Sequence, residues 1–226
     1  TILKNDAGEY LLIVADGMGG HRAGEVASSM VVTHLGKRFN DLVTVGTKYD
    51  ATNWLKDNIS EINHHIVEYA SNNPESKGMG TTVVVALLTH DFLLYANVGD
   101  SSGFAMKNGH LLKVTKDHTL VQLLVQAGDL TEEEAKYHPK KNVLMKALGG
   151  EEDVVPDIYE VDMSFDAILL SSDGLTNMLS NEAIEKVLND PELSVEDKVV
   201  KLIRKCNARG GTDNISVAYL VKESGE

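Results

Sequence analysis

Four aspartates lie at the ends of short apolar runs, beside a glycine or within two or three residues of one. Asp16, Asp100 and Asp173 follow such runs, and Asp213 precedes the last one. Strand ends in a packed sandwich converge at one edge, so these carboxylates are expected to meet. Carboxylates about 4 Å apart repel by roughly 1 to 4 kcal/mol per pair in a wet site, so a cluster persists only if cations neutralise it. Oxygen ligands of this kind select hard ions such as Mg²⁺ or Mn²⁺.

The glycines beside these aspartates support the same interpretation. Gly17, Gly19 and Gly20 follow the first aspartate, and Gly210 and Gly211 precede the last. Glycine lets the backbone approach closely, so a main-chain carbonyl can join the ligands of an ion. A single Asp-Gly pair is also ordinary turn chemistry. The repetition of the arrangement is therefore what indicates an ion site.

Composition narrows the classes of partner. The chain has 226 residues, 42% of them hydrophobic, which suits one large domain. Its 34 acidic and 21 basic residues give a net charge of −13. Because such a surface repels nucleic acid and anionic lipid, we expect neither as a partner. No run approaches the roughly 18 apolar residues that a membrane-spanning helix requires.

The single cysteine indicates a reducing environment, since one thiol cannot form an internal disulfide. We therefore expect a cytoplasmic location. Cys206 shares a helical stripe with Val199 and Leu202, which favours a core thiol over a nucleophile.

Runs of strands interrupted by helices predict the fold class. Strands are predicted at 10–15, 81–88, 92–98, 103–106, 111–114, 158–161, 167–171 and 215–221, and helices at 24–39, 51–70, 181–188 and 195–207. Asn108-Gly109 predicts a tight hairpin turn. Because neighbouring strands form hairpins, not βαβ crossovers, the pattern favours an α+β fold with a central antiparallel β-sandwich flanked by α-helices.

Residues 116–156 differ in character from the strands around them. Two short helices are predicted here, one with Leu120, Leu123, Leu124 and Ala127 on one face, and one that opens with the capping box of Thr131 and Glu134. The segment is charged and lies between strands. It is therefore predicted to form a flap over a site.

Five motifs occur in series along the chain: Val-Ala-Asp-Gly-Met-Gly-Gly-His (14–21), Gly-Met-Gly-Thr-Thr (78–82), Asn-Val-Gly-Asp-Ser (97–101), Ser-Ser-Asp-Gly-Leu (171–175) and Gly-Gly-Thr-Asp-Asn-Ile-Ser (210–216). Together they resemble the metal-dependent, type 2C protein serine/threonine phosphatases in their bacterial form. The resemblance covers nearly the whole chain. It implies a four-layer α-β-β-α fold and one catalytic domain over residues 1–226.

The resemblance also implies roles for individual residues. Asp16 would bridge two ions, Mn²⁺ or Mg²⁺, and the Gly17 carbonyl would bind one of them. Asp173 and Asp213 would complete the second ion's ligands, and Asp100 with Asp173 would hold a third ion. A water or hydroxide shared by two ions would hydrolyse phosphoserine and phosphothreonine. The implied partners are phosphorylated proteins and a cognate serine/threonine kinase, and we expect a monomer.

Three departures from the family pattern qualify the resemblance. The family's first strand, with a phosphate-binding arginine and an acidic metal-binding motif, has no match here, so we expect that segment upstream of Thr1. Met18 stands where eukaryotic members have a histidine, which makes His21 the candidate general acid. Ser102 replaces an arginine that commonly follows Gly-Asp-Ser.

Two other functions compete with this interpretation. Residues 99–103 match Gly-x-Ser-x-Gly, the nucleophile elbow of serine hydrolases, but that motif requires a following helix and a strand is predicted instead. The second alternative is a non-catalytic phosphoprotein-binding or regulatory domain on the same fold. Such a domain would lose metal ligands, whereas Asp16, Asp173 and Asp213 are all present.

Overall fold

The computed structural model describes residues 1–19 and 21–222, apart from the side chain of His21. The strands are β1 (Ile2–Lys4), β2 (Tyr10–Val14), β3 (Gly17–Met18), β4 (Gly80–Thr81), β5 (Val83–Leu88), β6 (Leu93–Val98), β7 (Ser102–Lys107), β8 (His110–Lys113), β9 (Asp157–Val161), β10 (Ala167–Ser171) and β11 (Val217–Val221). The helices are α1 (His21–Asn40), α2 (Lys48–Asn72), α3 (Leu120–Ala127), α4 (Glu132–Tyr137), α5 (Asp173–Thr176), α6 (Asn181–Leu188) and α7 (Val195–Ala208), with a 3₁₀ turn at Pro74–Ser76.

Two antiparallel sheets form the centre of the molecule. One has five strands in the order β1-β2-β5-β6-β9, and the other has four in the order β11-β10-β7-β8. A small ribbon pairs β3 with β4. The hairpin of β7 and β8 turns at Asn108-Gly109, as predicted. This arrangement confirms the α+β sandwich.

Burial on both faces explains why the central strands are almost entirely apolar. In β2, Leu11 and Ile13 pack against α1 and α2, while Leu12 and Val14 face the second sheet. Successive side chains of a strand point to opposite faces, so an unbroken apolar run fills two layers of core. A third layer lies between the four-stranded sheet and the helices α6 and α7. The result is the four-layer α-β-β-α order.

The outer helices follow the predicted amphipathic pattern. Leu55, Ile59, Ile62 and Ile66 of α2 are buried. Thr47 and Asp50 form a capping box that begins this helix. Cys206 of α7 is fully buried in the outer core, which confirms its prediction as a core thiol. No helix of the described chain has the length and apolarity needed to cross a membrane.

The structure differs from the sequence-based prediction in detail. The strands β1, β3 and β4 and the short helix α5 are too short for a periodic signal, and the predictions missed them, apart from Thr81. The predicted apolar face of α3 is wrong: Val121 is its buried residue, whereas Leu123 is 47% exposed. On a short surface helix, the hydrophobic pattern alone does not determine which side faces the body of the protein.

Candidate metal centre

The register of the five-stranded sheet places two of the aspartates at one rim. Strand β2 ends two residues before Asp16, and its last residue, Val14, pairs with Val84. Val83, the first residue of β5, pairs with Val98, the last residue of β6. Asp100 follows Val98 by two residues. Both aspartates therefore leave the sheet at the same end.

The four-stranded sheet contributes the other two aspartates at the same rim. Ser171 is the last residue of β10 and pairs with Ser102 on one side and Val217 on the other. Asp173 lies two residues after this row, and Asp213 lies four residues before β11 begins. Only residues 99–101 separate the end of β6 from the start of β7, so the two sheets share this rim.

Buried hydroxyl groups fix the backbone of Asp16. Its amide donates to Thr82 Oγ1 at 3.0 Å, and its carbonyl accepts from Thr81 Oγ1 at 2.9 Å and from the amide of Thr82 at 2.9 Å. Thr82 Oγ1 is also 2.7 Å from the hydroxyl of Ser101. These three hydroxyl residues are buried, so the bonds hold Asp16 in one place.

Asp173 begins the short helix α5 and is oriented by its own helix. Asn177 Nδ2 donates to Asp173 Oδ2 at 2.9 Å, one turn later. Gly174 packs against the segment that carries Asp213: a Cβ at Gly174 would lie 2.2 Å from the carbonyl oxygen of Asn214. Only glycine permits this approach, and it brings the two aspartates to the same place.

Asp213 lies in a more exposed loop. Asn214 donates its amide to Asp213 Oδ1 at 2.8 Å. The loop is tied to the sheet through Ser172, whose hydroxyl donates to the Asn214 carbonyl at 3.3 Å and accepts from the amide of Ser216 at 3.1 Å. These bonds fix the backbone beside Asp213 and leave its carboxylate open to solvent.

Burial and mutual repulsion raise the pKa values of carboxyl groups in this cluster. Burial, then the charges of Asp173 and Asp213, raise the pKa of Asp16 to about 7. Burial and the charge of Asp213 also raise the pKa of Asp173, although its hydrogen bonds with Asp16 and Asn177 act in the opposite direction. Asp16, Asp173 and Asp213 therefore interact electrostatically across the rim.

Asp100 belongs to the same electrostatic group. Burial, then the charges of Asp173 and Asp117, raise its pKa to about 7, and Asp16 contributes less. Asp117 is bound by Lys113, whose Nζ lies 2.7 Å from its Oδ1. The sequence prediction did not include Asp117, since it lies outside the aspartate–glycine pattern.

The carboxylates interact without forming a finished ligand set. Within residues 1–19 and 21–222, no three His, Cys, Asp or Glu side chains are already gathered tightly enough to enclose an ion. The candidate general acid His21 is the first residue of α1. Its side chain lies outside the described residues, so its role stays a prediction.

The serine-hydrolase alternative lacks its structural context. Ser101, the serine of the Gly-x-Ser-x-Gly match, is fully buried and hydrogen-bonded to Thr82. Strand β7, not a helix, follows it. A nucleophile elbow presents an exposed serine between a strand and a helix. The structure therefore agrees with the rejection of this function.

Thr81 and Thr82 stood in the motif at 78–82, but their role in holding Asp16 was not predicted. Thr81 and Thr82 stand directly before the apolar strand β5, and both are buried. Two adjacent polar residues at the start of an otherwise buried strand were the available signal, because buried hydroxyls require partners.

Comparison with known proteins gives a consistent result. The family model described as protein phosphatase 2C matches residues 2–215. The serine/threonine phosphatase stp of Listeria monocytogenes serovar 1/2a is 40% identical over 223 residues, which cover 98% of this chain and 88% of that protein.

Solved structures agree with the sequence comparison. Serine/threonine phosphatase Stp1 from Staphylococcus aureus superposes with a TM-score of 0.92 at 37% identity, covering 100% of this chain and 88% of that one. The catalytic domain of the serine/threonine protein phosphatase PstP, in complex with two manganese ions, superposes with a TM-score of 0.80 at 36% identity, covering 92% and 85% of the two chains. The chain therefore belongs to the protein phosphatase 2C family.

Proposed function

We infer that this chain hydrolyses phosphoserine and phosphothreonine in proteins with the help of divalent cations. The observation that carries this proposal is the electrostatic coupling of three carboxylates from distant parts of the chain. Asp16 has its pKa raised to about 7 by burial and by Asp173 and Asp213. Family membership supplies the reaction class, and relatives over nearly the same length are named serine/threonine phosphatases.

The residues at the rim fit hard divalent ions. Their side-chain donors are carboxylate oxygens, and the backbone at Gly17 adds a carbonyl next to Asp16. Carboxylates that repel one another are stabilised when a cation takes the place of their protons. Oxygen donors of this kind suit Mg²⁺ and Mn²⁺. We therefore propose Asp16, Gly17, Asp173 and Asp213 as ligands of two ions, and Asp100 with Asp173 as ligands of a third.

The chain's own contribution to the reaction is positioning. When bound, a pair of divalent ions supplies a water that is activated at neutral pH and a positive clamp for phosphate oxygens. Thr81 and Thr82 hold the backbone of Asp16, and its carboxylate interacts with that of Asp173. Asn177 holds the Asp173 carboxylate in turn. We propose His21 as the general acid that would protonate the leaving alkoxide.

The same proposal extends to domain organisation and partners. Residues 1–226 would form one catalytic domain, in which residues 116–156 act as the flap. The two helices of this segment contribute a single buried side chain, Val121 of α3, which supports a role at the surface. Phosphorylated proteins are the proposed substrates. We further propose that the chain acts as a monomer in the cytoplasm and opposes a serine/threonine kinase.

Hydrolysis of p-nitrophenyl phosphate tests the proposal directly. We expect activity with Mn²⁺ that is lost on adding a chelator and restored by excess Mn²⁺. Asp173→Asn should lower kcat/KM by more than about 100-fold, because losing a ligand must exceed the 10- to 100-fold cost of losing an outer-shell partner.

A matched control distinguishes loss of a ligand from loss of the fold. Asp153→Asn changes an exposed aspartate near His64 and should leave the rate unchanged. Retained activity in Asp173→Asn, or activity indifferent to chelator, would refute the metal mechanism.

A further inference from the structure

One imidazole outside the aspartate cluster is held at both of its nitrogens. His118 Nδ1 accepts a hydrogen bond from the amide of Gly99 at 3.1 Å, and its Nε2 lies 3.2 Å from Asp157 Oδ2. The side chain of His118 is only 14% exposed. It therefore links the turn that carries Asp100 to the first residue of β9.

These two contacts determine the tautomer of the ring. A backbone amide can only donate a hydrogen bond, so Nδ1 must be unprotonated to accept from Gly99. The carboxylate of Asp157 can only accept, so Nε2 must carry the proton. Asp157 thus orients His118 in the form that binds the turn.

Gly99 is bound to His118 through its backbone on both sides. Its amide donates to the imidazole, and its carbonyl accepts from the amide of His118 at 2.9 Å. Gly99 has a φ of +107°, and a Cβ at this position would lie 2.6 Å from the Thr82 side chain. The turn is therefore enclosed between Thr82 and His118, directly before Asp100.

The same histidine stands where the flap leaves the sandwich. The carbonyl of His118 accepts from the amide of Met145 at 2.8 Å, and the bridge between Thr119 and Leu144 continues the pairing. Asp157 also receives Lys146 Nζ at 3.6 Å. Both ends of the flap are thus joined at the contact that supports the Asp100 turn.

We propose that His118, oriented by Asp157, is a positioning residue that fixes the turn of residues 97–101 and so sets the affinity of the ion bound by Asp100. The inference rests on the proposed function, since it assumes that Asp100 takes part in ion binding. Substitution of His118 would remove the acceptor of the Gly99 amide and the contact with Asp157, whereas the backbone bonds of residue 118 with Gly99 and Met145 would remain. Ion binding at Asp100 would then have to order the turn, which weakens it.

Calorimetric titration of Mn²⁺ into the ion-free protein tests this without depending on activity. We expect His118→Ala to weaken the weakest Mn²⁺ binding event by about 10-fold, the lower end for an outer-shell partner. Asp100→Asn should abolish that same event. His118→Asn should retain most of the affinity, because its Oδ1 can accept from the Gly99 amide. Asp157→Ala should weaken the event less than His118→Ala.

His64→Ala provides the matched control. His64 Nε2 also faces an aspartate, Asp153 at 3.4 Å, but on the half-exposed surface of α2. Its removal should leave every Mn²⁺ affinity unchanged. Hydrolysis of p-nitrophenyl phosphate against Mn²⁺ concentration should show the same order of variants.

The outcomes separate this inference from the proposed function. A wild-type protein that neither binds Mn²⁺ nor hydrolyses the substrate would refute the proposed function. An active wild type with an equally tight weakest site in His118→Ala would refute the role of His118. A uniform loss at every site that His118→Asn does not rescue would show a general structural role and overturn the inference. If His118→Ala does not fold, His118→Asn and Asp157→Ala decide by the same criteria.

Discussion

The two sides of the rim hold their aspartates differently. On the side of the five-stranded sheet, the backbone of Asp16 has three hydrogen bonds with Thr81 and Thr82, which are buried. On the side of the four-stranded sheet, Asp213 lies in an exposed loop that is held through the backbone of its neighbour Asn214. One aspartate is anchored through its backbone to buried threonines, and the other is placed by an exposed loop.

This difference predicts that one aspartate is held rigidly while the other can move. An aspartate with a fixed backbone defines where an ion can bind, because the entropy of ordering it is lost during folding and not on ion binding. A carboxylate on an exposed loop can open to admit or release an ion without disturbing the core. Under the proposed function, Asp16 is therefore expected to have a fixed position and Asp213 an adjustable one. The following changes test the two sides separately.

The largest effect is expected at the contact between Gly174 and Asn214, which positions the loop of Asp213. Gly174→Ala places a Cβ 2.2 Å from the Asn214 carbonyl oxygen, so the loop must move away. Overpacking of this kind costs about 1 to 3 kcal/mol. We expect kcat/KM with Mn²⁺ to fall by at least about 10-fold, as for loss of an outer-shell partner.

Gly36→Ala is the control for this change. A Cβ at Gly36 in α1 would meet only the flexible end of Leu3, at 3.2 Å. Its activity should match the wild type. Full activity in Gly174→Ala would contradict the idea that the close approach places Asp213.

A smaller effect is expected on the fixed side. Thr82→Val keeps the shape of the side chain but leaves the Asp16 amide without its acceptor. An unsatisfied buried donor costs about 1 to 3 kcal/mol, so urea denaturation should show a loss of that size. Thr89→Val removes the acceptor of the Phe92 amide, a 3.0 Å bond in the turn between β5 and β6 at the opposite end of the sheet, and serves as the control. Equal Mn²⁺ affinity in the two variants would show that Thr82 does not position Asp16.

A third effect concerns the ion-free protein alone and is a dependence of stability on pH. Burial and neighbouring carboxylates raise the pKa of Asp16 and Asp100 to about 7 in the folded chain, against 3.8 without these effects. Between these values the folded state binds more protons than the unfolded state, so stability falls as the pH rises from about 4 to 7. Melting temperatures in chelator should show this decline.

Saturating Mn²⁺ should abolish most of that decline, because the ions replace the protons. Asp100→Asn should flatten the curve in chelator. A melting temperature in chelator that rises across the same range would contradict the raised pKa values.

The sequence predicted the sandwich because its strands carry a strong signal. The strand β2 is apolar at every position from Leu11 to Val14, and the predicted boundaries agree with the structure within a residue. Helix α2 has the required spacing of Leu55, Ile59, Ile62 and Ile66. Burial on one or two faces of an element produces these hydrophobic patterns directly. The elements and their buried faces can therefore be predicted from the sequence.

The details of the rim could not be obtained in this way. Thr82 and His118 act through hydrogen bonds to the backbone of distant residues, and such bonds leave no periodic pattern in the chain. The charge interaction of Asp117 with Asp100 joins residues 17 positions apart and likewise follows no periodic pattern. The aspartates themselves were predictable, because they recur at strand ends beside glycines.

The burial of Cys206 has a consequence for how the protein withstands oxidative stress. Its thiol is fully enclosed by α7 and its neighbours, and burial raises its pKa, so little of the reactive thiolate is present. It is also the only cysteine in the chain. Peroxides that inactivate phosphatases by oxidising a catalytic cysteine therefore find no reactive thiol in this chain.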